Sequence, residues 1–106
     1  MSQPESKIQS AVLKRLKEKG VFCWRQNNLA VYDPKIRRYR AHTGLKGVPD
    51  IIAIIDGQFV GFEIKTPRGK QSADQLLFQK KTERHGGKYY IIRDVSEVDE
   101  ILENRH

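Results

Sequence analysis

Asp50 stands at the mouth of an apolar run, Ile51 to Ile55. After Asp56-Gly57 the chain returns through a second apolar run that carries Glu63 and Lys65 with one residue between them. Side chains in a strand alternate faces, so Glu63 and Lys65 share a side and Ile64 takes the other. Two carboxylates and an ammonium then meet on one side of a hairpin, an arrangement that holds a divalent cation and cuts a phosphodiester. That reaction needs a nucleophile at neutral pH, neutralised charge at phosphorus and help for the leaving oxygen. A Mg²⁺ ion on Asp50 and Glu63, with the Ile64 carbonyl as a third oxygen ligand, supplies much of this. Lys65 orients or deprotonates the attacking water, or stabilises the developing negative charge. The plainer alternatives are a strand cap for Asp50 and a surface ion pair of small energetic weight for Glu63 and Lys65. The setting argues against them. Both charges flank Ile64 in a run of Phe59, Val60, Gly61 and Phe62, and a charge in an apolar strand costs free energy unless it is paired or metal-bound.

The elements around this hairpin follow from pattern. Ser2-Gln3-Pro4-Glu5 reads as a helix start, with Glu5 at the third position of a capping box. Ile8, Ala11, Val12 and Leu16 then recur at helical spacing to Gly20, predicting a helix over residues 3–19. Residues 21–26 read as a strand, with Cys23 and Trp24 turned into the core. Asn27-Asn28 and Asp33-Pro34 are breakers. Residues 29–32 and 36–41 read as short extended segments, so a basic hairpin or ordered loop is expected there. The nearly continuous apolar residues of the two central strands predict a sheet covered on both faces. Ser72 with Gln75 is a second capping box and opens a helix to about Arg84. Gly86-Gly87 stops it, residues 88–93 form a strand, and Ser96 caps a final acidic helix. The strand–helix–strand unit from Phe59 to Arg93 predicts a parallel pair. The whole is a single α/β domain, residues 1–106, with a mixed sheet flanked by helices. The glycines Gly44, Gly47, Gly57 and Gly61 match neither nucleotide-binding fingerprint.

Charge indicates the partner. The chain has 106 residues and a formal net charge of +7, and a basic domain of this size binds a polyanion, most often nucleic acid. Between Gly20 and Pro49 stand six bases, Arg25, Lys35, Arg37, Arg38, Arg40 and Lys46, against the single acid Asp33. From Asp94 to His106 five acids face one base, so the polyanion belongs against the first region. Lys46, Arg68 and Lys70 bracket the carboxylates and suit phosphates on either side of a scissile bond. Arg37, Arg38 and Arg40, with Tyr39, form a second contact, and Arg25 a third. His42 and His85 are candidate helpers, although isolated histidines are more often bystanders. A single cysteine, Cys23, excludes an intrachain disulfide and a thiolate zinc site. No run approaches membrane-spanning length and the N-terminus lacks the apolar core of a signal peptide. The expected location is therefore intracellular, with no membrane partner.

Pro49-Asp50 followed by Glu63-Ile64-Lys65 resembles the PD-(D/E)xK nuclease signature. Glu5 with Ile8-Gln9, the segment Lys46-Gly47-Val48-Pro49-Asp50, Glu63-x-Lys65, Ser72-x-x-Gln75 and Gly86-Gly87 resemble, in order and spacing, the VRR-NUC (virus-type replication-repair nuclease) family across essentially the whole chain. The resemblance implies a restriction-endonuclease-like core. It implies that Asp50, Glu63 and the Ile64 carbonyl bind Mg²⁺ or Mn²⁺ and that Lys65 is the catalytic lysine. It further implies that Glu5 reaches the metal directly or through water, and that Gln75 sits beside the site. It implies an endonuclease that leaves a 5′-phosphate, in a stand-alone protein of the kind known from phages and bacteria. It implies a homodimer presenting two sites to branched DNA, with a four-way (Holliday) junction as first choice. A less selective nuclease for flaps, nicks or duplex, and a DNA-binding module without catalysis, are the alternatives.

Overall fold

The computed structural model describes residues 4–26, 31–35, 37–40 and 45–104. It begins with helix α1 (Glu5–Glu18), on which Ile8, Val12 and Leu16 recur every fourth residue and are all buried. The Pro4 carbonyl accepts from the N–H groups of Lys7 and Ile8. Glu5 is therefore the first helical residue and not the third position of a capping box, and no side chain caps this end. The expected partner Ser2 lies outside the described residues. The Glu5 carboxylate is thus left available for another role.

The strands are β1 (Phe22–Arg25), β2 (Val31–Asp33), β3 (Arg38–Arg40), β4 (Ile51–Ile55), β5 (Gln58–Ile64) and β6 (Lys88–Ile92). β1, β4, β5 and β6 form one mixed sheet in the order β1-β4-β5-β6, while β2 and β3 pair antiparallel as a separate ribbon. β4 and β5 are antiparallel, with Ile55 opposite Gln58. Asp56 and Gly57 close the hairpin at φ 52° and 77°, the two-residue turn whose twist suits its strands. β6 runs parallel to β5, Glu63 opposite Ile91. Helix α2 (Ala73–Arg84) makes the crossover between them, and α3 (Ser96–Glu103) ends the described chain.

Alternation sorts the sheet into two faces. Val60, Phe62 and Ile64 turn toward the cluster that holds Ile8, Val12, Leu16 and Val98, so α1 and α3 cover this side. The Arg15 guanidinium pins the two helices together, donating to both Asp99 oxygens at 2.7 and 3.2 Å. These bonds hold the Asp99 carboxyl below its ordinary range. Cys23 shares the covered side, and burial raises its thiol pKa. The opposite face is covered only in part. α2 packs there through Phe78, whose ring lies 6.4 Å from Phe59 and 6.3 Å from Tyr89. Beyond α2, toward β1, Phe22 is 70% exposed, Ile54 39% and Trp24 37%. The expectation of a sheet covered on both faces therefore holds over β5 and β6 and fails over β1. Trp24, expected in the core, stands on the open face, because alternation that buries Cys23 turns its neighbours outward.

The last helix corrects another local expectation. Ser96 is its first residue, not its cap. Asp94 does the capping: its carboxylate accepts from the backbone N–H and the hydroxyl of Ser96. Glu97 reaches back to the Arg93 N–H at 3.0 Å.

One contact in the sheet sets the position of the acid at its edge. A Cβ on Gly61 would stand 2.6 Å from Pro49 Cγ, and Pro49 is fully buried. The proline ring occupies the place of a side chain on β5. Gly61→Ala is accordingly expected to lower stability by about 1–3 kcal/mol through overpacking and to displace Asp50, the next residue after Pro49. Thermal melts together with cleavage rates check this, and an unchanged melting temperature would count against the contact.

Candidate active site

Glu63 is the centre of the site. It lies near the end of β5 on the face that carries Gly61, and it is 2% exposed. Its Oε2 accepts a hydrogen bond from Gln75 Nε2 at 3.0 Å and lies 3.9 Å from Lys65 Nζ. Its Oε1 is buried and, as a carboxylate oxygen, has no hydrogen-bond donor among the described residues. A buried carboxylate oxygen left unpaired is costly, and the surroundings raise the cost. Burial, then the negative charge of Asp50, push the Glu63 carboxyl up to about 9; Lys65 opposes this and Glu5 adds to it. Without a cation, the pair of acids holds a proton.

Asp50 is placed by the hairpin. It directly precedes β4, and its Oδ2 accepts from the Ile64 N–H at 2.9 Å. The N–H and C=O of a strand residue point to the same side, so the Ile64 carbonyl is directed toward Asp50 as well. The two carboxylates face each other across the open end of the β4–β5 hairpin. Glu63 and Lys65 do fall on one side, as alternation demands, and Lys65 is 14% exposed at its side chain.

Gln75 serves two roles at once. Ser72 Oγ accepts from the Gln75 N–H at 3.1 Å, and Gln75 Oε1 accepts from the Ser72 N–H at 2.8 Å, which completes a capping box. The same amide uses its Nε2 on Glu63. This is possible because the start of α2 abuts the acids. Gly47 makes that approach: at φ 78°, a Cβ on it would lie 2.2 Å from the Asp74 carbonyl oxygen. Only glycine suits both the conformation and the contact.

A cavity of about 350 Å³ opens above the acids, and Glu5, Lys46, Asp50, Glu63, Asp74 and Gln75 are among its walls. Glu5 thus reaches the site from the first turn of α1. Among the described residues no three His, Cys, Asp or Glu side chains stand together closely enough to hold a metal by themselves. Two facing carboxylates, one with an unpaired buried oxygen, together with a backbone carbonyl on the same side, are nevertheless a donor set that suits a hard cation completed by water.

Lys46 lines this cavity, while Arg68 and Lys70 are exposed on the loop after Lys65. Arg37 is exposed at the turn between β2 and β3, and Arg38 and Arg40 belong to β3. Arg25 turns to the α1 side, where it donates to Ser10 Oγ at 3.3 Å. His85 ends α2, its Nδ1 2.8 Å from the Lys81 carbonyl oxygen, and is not among the residues lining this cavity. His42 lies outside the described residues.

Three contributors were not found from the sequence. Asp74 lines the cavity from the first turn of α2; an acid next to the Ser72 cap was the signal for it. Tyr89 is buried behind the site, opposite Gly61, and the nearby Glu63 charge adds to burial in raising its phenol. Arg93 holds the loop that bears Arg68 and Lys70: its Nη1 donates to the carbonyls of Thr66 and Gly69, each at 2.7 Å. Nothing local to Tyr89 or Arg93 signals these contacts, because they arise from the parallel pairing of β6 with β5.

No family model and no curated protein matches the chain. Among solved structures, one described as "VRR_NUC domain" superposes with a TM-score of 0.66, covering 96% of this chain and 97% of its own, at 19% sequence identity. The likeness is one of fold, and it spans both chains almost end to end.

Proposed function

We propose that this chain, which has the restriction-endonuclease-like fold of a VRR_NUC domain, is a divalent-metal-dependent endonuclease that hydrolyses DNA. The observation that carries the reading is the buried Glu63 carboxylate with its unpaired Oε1, facing Asp50 and flanked by Lys65. A surface ion pair would not be buried to this degree, and a structural acid would not face a second one.

Asp50, Glu63 and the Ile64 carbonyl would hold Mg²⁺ or Mn²⁺, with Glu5 at the cavity wall contributing through water. The cation would supply charge neutralisation and a more acidic bound water. The chain's own residues do the rest. Gln75 fixes one oxygen of Glu63 and so orients the carboxylate. The Lys65 ammonium, next to Glu63 Oε2, holds the attacking water in line with phosphorus and stabilises the developing negative charge. Water adds to phosphorus as the bond to the 3′-oxygen breaks, which leaves a 5′-phosphate. Lys46, Arg68 and Lys70 bind flanking phosphates; Arg25, Arg37, Arg38 and Arg40 extend the contact and carry no base information.

The substrate in this reading is branched DNA, a four-way junction in the first instance, cut by a homodimer. The exposed Phe22, Trp24 and Ile54 on the open sheet face support self-association, and two copies would present two sites related by symmetry. Cleavage of junction, flap and linear duplex DNA, each with Mg²⁺, Mn²⁺ or EDTA, tests the reading, with light scattering on the same preparation. Metal-dependent cutting, fastest on the junction and by a dimer, is the expected result. Binding without cutting under every metal would leave a DNA-binding module, and activity that survives EDTA would remove the mechanism.

A further inference from the structure

Beside the acid-lined cavity lies a second, larger groove of about 520 Å³. Phe59 and Phe78 line it, together with Leu45 and Leu77, and Lys46 and Lys81 bear the cations on its walls. Leu45, Lys46 and Asp74 line both hollows, so the two adjoin where Gly47 meets α2. Phe59 and Phe78 hold α2 to the sheet, but Leu45 and Leu77 are not needed by the core. α2 buries none of its residues fully, and Leu45 and Leu77 remain 73% and 52% exposed. Leu77 and Lys81 are four residues apart and so share one side of the helix.

We propose that this groove receives an unpaired nucleobase of the DNA strand whose phosphate lies in the neighbouring cavity. The proposal rests on the nuclease reading and deepens it to branched DNA with a nucleotide unpaired beside the cut, which a flap has and a four-way junction has only where its crossover opens. The shared wall of Leu45, Lys46 and Asp74 places the groove next to a strand whose phosphate enters the acid-lined cavity. Charge complementarity sets the class of occupant. Lys46 and Lys81, set against the acid Asp74, leave the lining net cationic, which suits the phosphates that flank a base. An apolar and aromatic hollow combined with cations is how proteins take single-stranded nucleotides without reading their sequence. A fully paired duplex keeps its bases stacked and leaves the groove empty.

The test uses the whole chain in EDTA, where binding is read without cleavage. 2-Aminopurine is placed in turn at each unpaired position of a flap oligonucleotide. The wild type is expected to change the fluorescence at one position next to the branch, and an abasic nucleotide at that position to weaken binding about fivefold or more. Leu77→Ala and Leu45→Ala, both at exposed positions, should lose the signal. Leu76→Ala, also exposed on α2 but not among the residues lining the groove, should keep it. A signal untouched by Leu77→Ala and Leu45→Ala, an abasic site that binds as well as a base, or no position-specific signal at all would overturn the proposal. Cleavage of the same flap after Mg²⁺ is added reports separately on the nuclease reading. Position-specific binding without cleavage would sink that reading alone, and cleavage without the signal would sink the groove alone.

Discussion

Lys65→Ala is expected to lower single-turnover DNA cleavage about 10³-fold while DNA affinity changes little. The ammonium is 3.9 Å from Glu63 Oε2 and mostly enclosed, so in the proposed reaction its charge would act on the reacting phosphate rather than along the backbone. It also opposes the burial and the Asp50 charge that drive Glu63 toward its protonated form. Its loss therefore removes a stabilising charge and favours the form of Glu63 that cannot bind a cation. Lys46→Ala should behave in the opposite way. It should weaken binding and reduce the salt dependence by about one counterion, with less effect on the chemical step. Single-turnover rates at saturating enzyme, set beside binding titrations, separate the two variants. A loss of rate smaller than tenfold for Lys65→Ala would remove the lysine from the chemistry.

Stability against pH should expose Glu63 directly. In buffer free of divalent ions the folded protein keeps a proton on this carboxyl up to about 9, against an ordinary value of 4.5. Between those values the unfolded chain binds fewer protons than the folded one, so unfolding becomes easier as pH rises. Below the ordinary value both states are protonated and nothing is lost; above about 9 the loss is complete. One proton corresponds to about 1.4 kcal/mol per pH unit, hence roughly 4 kcal/mol from pH 5 to pH 8. In a domain of this size that moves the melting temperature by more than about 10 °C. Glu63→Gln has no such proton to lose and should stay flat over the same range, while being inactive. Mg²⁺ or Mn²⁺ should raise the wild-type melting temperature more at pH 8 than at pH 5, because the ion holds the carboxylate ionised. Thermal melts of wild type and Glu63→Gln across this range, with and without the ion, give the difference. Parallel curves for the two proteins would show that Glu63 is not the buried acid that this site requires.

What the sequence determined by itself is local in origin. Alternation put Glu63 and Lys65 on one side of a strand, Asp56-Gly57 specified the turn that brings Asp50 back to them, and Ser72 with Gln75 marked the start of α2. The helical stripe of Ile8, Val12 and Leu16 named the core face of α1. Each of these depends on residues a few positions apart, where period and turn chemistry act directly. Packing decided the rest. Ser96 carries the residue type of a cap, yet it is the Asp94 carboxylate that accepts the Ser96 N–H. Trp24 has the composition of a core residue and stands on an open face, because α2 reaches only β5 and β6. The dual role of Gln75 needed the start of α2 to meet Glu63, and that meeting depends on Gly47 having no side chain. The depth at which Glu63 is buried, the unpaired oxygen it carries and the proton it holds follow from strands and a helix far apart in the chain. Desolvation is a property of the assembled neighbourhood, and no spacing along the sequence encodes it.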